Sequence, residues 1–152
     1  MCIRDRFWCT LPVALTIWGL SLRQFARAVP PAPLRPLLAI HLAPAALLGT
    51  VAGLLAKPEI GAVFAGLGLV YAILLVVSGR WVLAAGMTAM WGAFTFPLAA
   101  LATALMLTGG VWLWPGVVLT GVALGVIPAI LWWVLKRWPG GRLAAVTNAA
   151  EA

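Results

Sequence analysis

The chain has 152 residues, 64% of them hydrophobic and only 9% charged, where a soluble domain carries about a quarter charged residues. With a mean hydropathy of +1.11, this composition excludes an ordinary soluble domain and defines an integral membrane protein. The net charge of +7 is not a nucleic-acid signal, because the basic residues fall between apolar runs and form no patch or stripe.

The first six residues, Met1 to Arg6, are polar and open abruptly onto an apolar segment. They have the charge-then-apolar order of a signal peptide, but no small-residue cleavage site follows. They also resemble translated sequencing-adapter DNA. The expectation is therefore a foreign leader over 1–6 and a chain that is a fragment. Cys2 and Cys9 show no metal spacing and no disulfide framework.

A helix needs about 20 apolar residues to cross a bilayer. Five runs qualify or nearly do: 7–22, which is slightly short, then 36–56, 60–78, 81–107 and 111–135. Together they predict an all-α polytopic bundle with a transmembrane domain over 7–135 and a tail over 136–152. The connections are short. Pro30, Pro31 and Pro33 forbid a continuous helix in the first, Lys57-Pro58-Glu59 and Gly79-Arg80 make the next two, and Gly109-Gly110 the last. The tail is expected to fray at Pro139-Gly140-Gly141. No short repeat is apparent.

Arg23, Arg27, Arg35, Arg80, Lys136, Arg137 and Arg142 all fall on one side of this topology, with only Lys57 on the other if Arg4 and Arg6 belong to the foreign leader. The positive-inside rule then places the first and third loops and the C-terminal tail in the cytoplasm. The setting expected is the inner (plasma) membrane of a bacterium. Trp112, Trp114, Trp132, Trp133 and Trp138 bracket the last run as interfacial belt anchors. Gly61/Ala65, Ala62/Gly66 and Gly121/Gly125 are small pairs at the spacing that lets helices approach closely in lipid.

The run 81–107 carries the most specific pattern. On one continuous helix, Ala85, Ala89, Gly92, Ala93, Phe96, Ala99, Ala100 and Thr103 share a face, a single large ring in a stripe of small residues. Leu83, Met87, Met90, Phe94, Leu98, Leu101 and Leu105 fill the other side. Pro97 follows the ring and crowds the carbonyl of Ala93, so a kink is expected there. Such a groove, ring and bend could form a gate or an ordinary packing seam.

No Asp or Glu lies inside any run, which weighs against a proton relay, a sodium site or an acidic cation filter. No nucleophile with a base, clustered metal ligands, paired histidines or phosphate loop is present, so no enzyme and no cofactor are expected. His41 is the only ionisable side chain inside a run. It sits near a span end, where it serves either an interfacial or structural role or an anion-facing one. Pro12, Pro44 and Pro128 free the carbonyls of Trp8, Ile40 and Leu124, in a pore-lining kink or in ordinary bending.

Two stretches together point to a family. Leu34-Arg35-Pro36-Leu37-Leu38-Ala39-Ile40-His41-Leu42-Ala43-Pro44 is similar to the start of the seventh helix of the tellurite-resistance/dicarboxylate transporter family. Trp91-Gly92-Ala93-Phe94-Thr95-Phe96-Pro97 resembles its ninth. That family includes bacterial tellurite-resistance proteins, fungal malate and sulfite exporters and the slow anion channels of guard cells. The resemblance implies the second half of a ten-helix, five-hairpin fold, from the end of the sixth helix to the tenth. It makes 36–56 and 81–107 inner and pore-lining, and the other three runs outer. It implies that Phe96 is the pore gate, that Pro44 is a kink of an inner helix, and that Gly92, Ala93, Pro97 and Ala100 line the passage or bend it. His41 departs from the family pattern, so no role is carried onto it.

The function so implied is transport of small inorganic or dicarboxylate anions through a phenylalanine-gated pore. The expected partners are the lipid bilayer, an anionic substrate and, by resemblance, two further copies in a homotrimer. No nucleic acid is expected. The alternative is a non-transporting membrane subunit or scaffold, which water-accessibility of Ala89, Gly92, Ala93 and Ala100 would separate from a pore.

Overall fold

The computed structural model describes residues 3–139 and 143; Met1, Cys2 and the rest of the tail, with Gly140-Gly141, lie outside the described residues. Helices are the only regular elements among them. α1 is Ile3–Arg27, α2 Leu42–Leu54, α3 Pro58–Val77, α4 the single turn Gly79–Val82, α5 Thr95–Thr108 and α6 Leu113–Arg137. Three 3₁₀ segments, Ala32–His41, Ala89–Phe94 and Gly110–Trp112, run directly into α2, α5 and α6. The all-helical bundle expected from composition is the fold observed. Four stretches, Ala32–Leu54, Pro58–Val77, Ala89–Thr108 and Gly110–Arg137, are long and apolar enough to cross a membrane. This is a membrane protein. α1 carries the run 7–22 and begins inside the hexapeptide expected to be foreign.

Each 3₁₀ segment meets its α-helix at a proline placed third in that helix: Pro44, Pro97 and Pro115. The physical reason is shared. Proline has no N–H to give to the carbonyl four residues back, and its ring crowds that carbonyl. The residues before it therefore wind more tightly, with bonds to the third residue along. Within the first turn of an α-helix the missing donor costs little. The kink expected at Pro97, with its crowding of Ala93, is thus realised as a change of helix type.

The run 81–107 is not one helix. α4 ends at Val82, Gly86 takes a left-handed φ of 74° and Thr88 is extended. The Trp91 indole Nε1 donates to the Gly86 carbonyl at 3.0 Å and holds the break. Ala85 therefore does not share a helical face with Ala89, and the stripe begins only at the 3₁₀ turn. The opposite, bulky side does enter the core. Leu101 and Leu105 are fully buried among Leu42, Ala46 and Ala65. A second cluster joins Phe7 of α1 to Leu48, Ala52 and Phe64.

The chain contains a repeat that its sequence hides. A shift of 53 positions lays Leu42 on Thr95, the first residues of α2 and α5. It also superposes Pro44 on Pro97, Ala46 on Ala99, Leu48 on Leu101, Thr50 on Thr103 and Leu54 on Leu107. Both threonine hydroxyls donate to the carbonyl four residues back, Thr50 to Ala46 at 2.9 Å and Thr103 to Ala99 at 3.0 Å. Each repeated segment then turns into a longer helix, α3 or α6. α2 and α5 run parallel, since a Cβ on Gly49 would meet Ala104 Cβ at 3.3 Å and one on Gly53 would meet Leu107 Cβ at 2.9 Å.

Candidate functional site

The open side of α5 gathers the residues singled out in the sequence. Phe96 is 57% exposed, although it is a large ring on a helix that buries Pro97, Leu101 and Leu105. Gly92, Ala99 and Thr103 are exposed beside it, while Ala89, Ala93 and Ala100 are half-buried. A Cβ on Gly92 would meet nothing within 4 Å. The Thr95 hydroxyl donates to the Gly92 carbonyl at 2.7 Å and ties the 3₁₀ turn to the first α turn. The ring of Phe96 therefore stands out from the junction of two helix types, over a strip with little side-chain bulk.

Pro44 holds the place in α2 that Pro97 holds in α5, but its surroundings differ. Pro97 is buried, whereas Pro44 lines an apolar groove of about 510 Å³ between α1 and α2, with Phe7, Ala14, Ile40, Leu47 and Val51. A smaller groove, about 290 Å³, lies between α5 and α6, lined by Ala99, Ala102, Thr103, Thr120, Ala123 and Pro128 among others. Pro44 and the Phe96 strip thus belong to different faces of the bundle.

His41 faces neither groove. It is 9% exposed, its ring is edge-on to Phe25 with centroids 4.8 Å apart, and Nδ1 has no hydrogen-bond partner. The nearby Leu38 carbonyl accepts from the Tyr71 hydroxyl at 3.0 Å. The headgroup contact open to His41 from its position in the sequence is closed off by α1.

Two features went unread in the sequence. Arg35 Nε donates to the Pro30 carbonyl and Arg35 Nη1 to the Trp81 carbonyl, both at 3.2 Å, and the guanidinium lies 4.4 Å from the Trp81 ring centroid. This clasp places the first and third loops at the same end of the bundle, as alternating spans require. The belt of tryptophans is also only partly a belt. Trp114, Trp132 and Trp138 are largely exposed, and the Arg137 guanidinium sits 3.9 Å from the Trp133 ring centroid. Trp112 instead packs into the bundle, 3.3 Å from where a Cβ on Gly66 would stand, because the glycine leaves a notch for it.

Among the described residues no group of three or more His, Cys, Asp or Glu could hold a metal ion. Glu59 lies in the first turn of α3. The arrangement offers apolar surfaces and helix breaks. Comparison of the chain with protein-family models, with curated proteins and with solved structures finds no match.

Proposed function

We propose that the chain forms part of an anion transporter or channel of the tellurite-resistance/dicarboxylate kind, in which Phe96 obstructs a narrow apolar passage. The observation that carries this reading is the exposure of Phe96 at the 3₁₀-to-α junction, above the open strip Gly92, Ala99 and Thr103. A lone ring over small side chains can swing without displacing neighbours, and a hydrophobic constriction conducts only when it wets. The acidic residues Asp5, Glu59 and Glu151 all lie outside the apolar runs. The passage would therefore select by net positive potential and by width. In this reading the protein is a bacterial inner-membrane one, the clasped loops and the C-terminus are cytoplasmic, and the complete pore belongs to a homotrimer.

Phe96→Ala tests it. In proteoliposomes with equal protein incorporation, the variant is expected to raise anion flux several-fold. Unchanged flux removes the gate. A second reading, a non-transporting membrane subunit, draws on the two apolar grooves at the flanks of the bundle, which suit neighbouring helices better than ions.

A further inference from the structure

We propose that the end of the bundle closed by the Arg35 clasp binds the headgroup of an anionic phospholipid, held between Arg35 and Arg80 with its acyl chain along the exposed face of α3. The proposal goes beyond the transport reading and does not depend on it. The helix directions gather the charge. α1 runs antiparallel to α2, with Phe7 beside Leu48 and Ala52 and Phe25 against His41. α6 runs antiparallel to α5, since a Cβ on Gly116 would meet Met106 and Pro128 shares a groove with Ala99. With α2 and α5 parallel, Arg23, Arg27, Arg35, Arg80, Lys136 and Arg137 all lie at one end. Among the described residues the acids are Asp5 and Glu59, near the starts of α1 and α3 and so at the other end. The cations therefore face one water layer with no described carboxylate to neutralise them.

Excess charge alone makes a diffuse field; the clasp makes a site. The Pro30 carbonyl, the Trp81 carbonyl and the Trp81 ring fix the Arg35 guanidinium through Nε, Nη1 and its face. The third nitrogen, Nη2, donates to no described group. A guanidinium held in this way has already lost the side-chain freedom that a new contact would cost. Arg80 adjoins Trp81 in the chain, is exposed, and its side chain makes no ion pair or hydrogen bond among the described residues. Both cations stand where apolar stretches end. Arg35 is near the start of Ala32–Leu54, and Arg80 lies three residues past Pro58–Val77. Trp81, 41% exposed, suits the same headgroup depth. Below Arg80 the surface is apolar. Ile73, Val77 and Arg80 follow at spacings of four and three, one helical line, and Ile73 and Val77 are 53% and 79% exposed. A phosphodiester at Arg80 thus lays its chain on that line. Guanidinium groups pair with phosphate oxygens in fixed geometry. A choline headgroup would bring its own cation against the same arginines, so the site favours a net negative lipid.

The test is native mass spectrometry of the full chain released from dodecylmaltoside micelles, with phosphatidylglycerol or phosphatidylcholine as the titrated lipid. Phosphatidylglycerol should bind about tenfold more tightly. Arg80→Gln changes an exposed side chain without a partner. It should weaken phosphatidylglycerol binding about fivefold and leave the Tm in lipid-free detergent unchanged. Lys136→Gln removes the same charge at the same end, from a helix that packs on α5 rather than on α3. It should change binding by no more than about twofold, since water and salt screen the distant charge. Equal losses from the two variants would reduce the site to a diffuse field and overturn the proposal. Displacement of the lipid by inorganic phosphate at the same concentration would make the ligand a soluble anion and overturn it too. Arg35→Lys keeps the charge and opens the fork, so it should weaken binding about as much as Arg80→Gln. Full affinity in that variant would remove the clasp from the site, and the proposal with it.

Discussion

Ala56 and Gly109 occupy the same place in two copies of one helix ending. They are 53 positions apart, they follow α2 and α5, and both take a positive φ, 53° and 72°, which Gly109 combines with a ψ of −163°. Around Ala56 the ending is a Schellman motif, with Lys57 N–H donating to the Ala52 carbonyl at 2.9 Å and Ala56 N–H to Gly53 at 3.0 Å. One copy uses the residue suited to this backbone and the other does not. The left-handed region costs a Cβ-bearing residue roughly 1–2 kcal/mol, and glycine gives part of that back as lost chain entropy. Ala56→Gly is therefore expected to stabilise the protein by about 0.5–1 kcal/mol, and Gly109→Ala, placed in a backbone region that only glycine adopts readily, to destabilise it by about 1–3 kcal/mol. Thermal unfolding in one detergent checks both, and a lowered Tm for Ala56→Gly would contradict the strain.

Glycines that look alike in the sequence divide by what they face. A Cβ on Gly116 would stand 2.7 Å from Met106 Cγ and 3.0 Å from its backbone nitrogen, so α6 must move away from α5. Gly116→Ala is expected to cost about 1–3 kcal/mol, the usual range for overpacking. Gly121 and Gly125 have nothing within 4 Å. Their alanine variants should be neutral or gain up to about 1 kcal/mol of helix propensity. Unfolding midpoints of the three variants give the contrast, which vanishes if Gly121→Ala is as damaging as Gly116→Ala.

The Arg35 clasp needs a planar, forked donor. Lysine can reach one carbonyl or lie over the Trp81 ring, but it cannot span Pro30 and Trp81 while stacking. Arg35→Lys should cost about 1 kcal/mol, the scale of one exposed cation–π contact with its hydrogen bonds. Faster hydrogen exchange confined to residues 79–88 is the expected signature. Protection unchanged there would show that Trp81 is held by other contacts.

His41 can be tested for structure and for function in one variant. Phenylalanine keeps the edge-on contact with Phe25 and removes a buried nitrogen that has no partner. An unsatisfied buried polar group costs about 1–3 kcal/mol, so His41→Phe should raise the Tm or leave it unchanged. If anion flux falls while the Tm holds, the imidazole handles the anion; if neither falls, its role is packing.

Water access along α5 should follow exposure if a pore runs there. Gly92→Cys and Ala99→Cys are expected to react with a membrane-impermeant thiol reagent, and Ala104→Cys, fully buried, to stay inert. A silent Gly92→Cys in a folded protein favours the non-transporting subunit.

The helical class was legible because hydropathy alone separates a bilayer from water as the solvent. Which side of α5 is bulky was legible too, since Leu101 and Leu105 recur at helical spacing and reach the core. The break before it was not. Gly86 and Thr88 carry no charge and are residue types that membrane helices accept, so the left-handed φ and the Trp91 indole bond are what reveal it. The repeat was hidden for a related reason. Its matches are Pro, Ala, Leu and Thr, residues common in any membrane helix, and the segments before them wind as 3₁₀, which hydropathy does not register. The burial of His41 depends on Phe25, from a helix whose docking depth no local pattern fixes.

The 3₁₀ segments also set how far the inner spans reach. A 3₁₀ turn rises about 2.0 Å per residue against 1.5 Å for an α-helix. Ala32–Leu54, with ten of its residues in 3₁₀ form, is about 5 Å longer than the same residues would be as a pure α-helix. The outer α3, at 20 residues, spans about 30 Å, the thickness of the hydrocarbon layer. The inner span overshoots that layer and α3 matches it. Rewinding the 3₁₀ stretch as α would shorten the inner span alone, so the thickness of the surrounding lipid bears directly on the helix type at the junction beside Pro44, and thinner bilayers favour the α form.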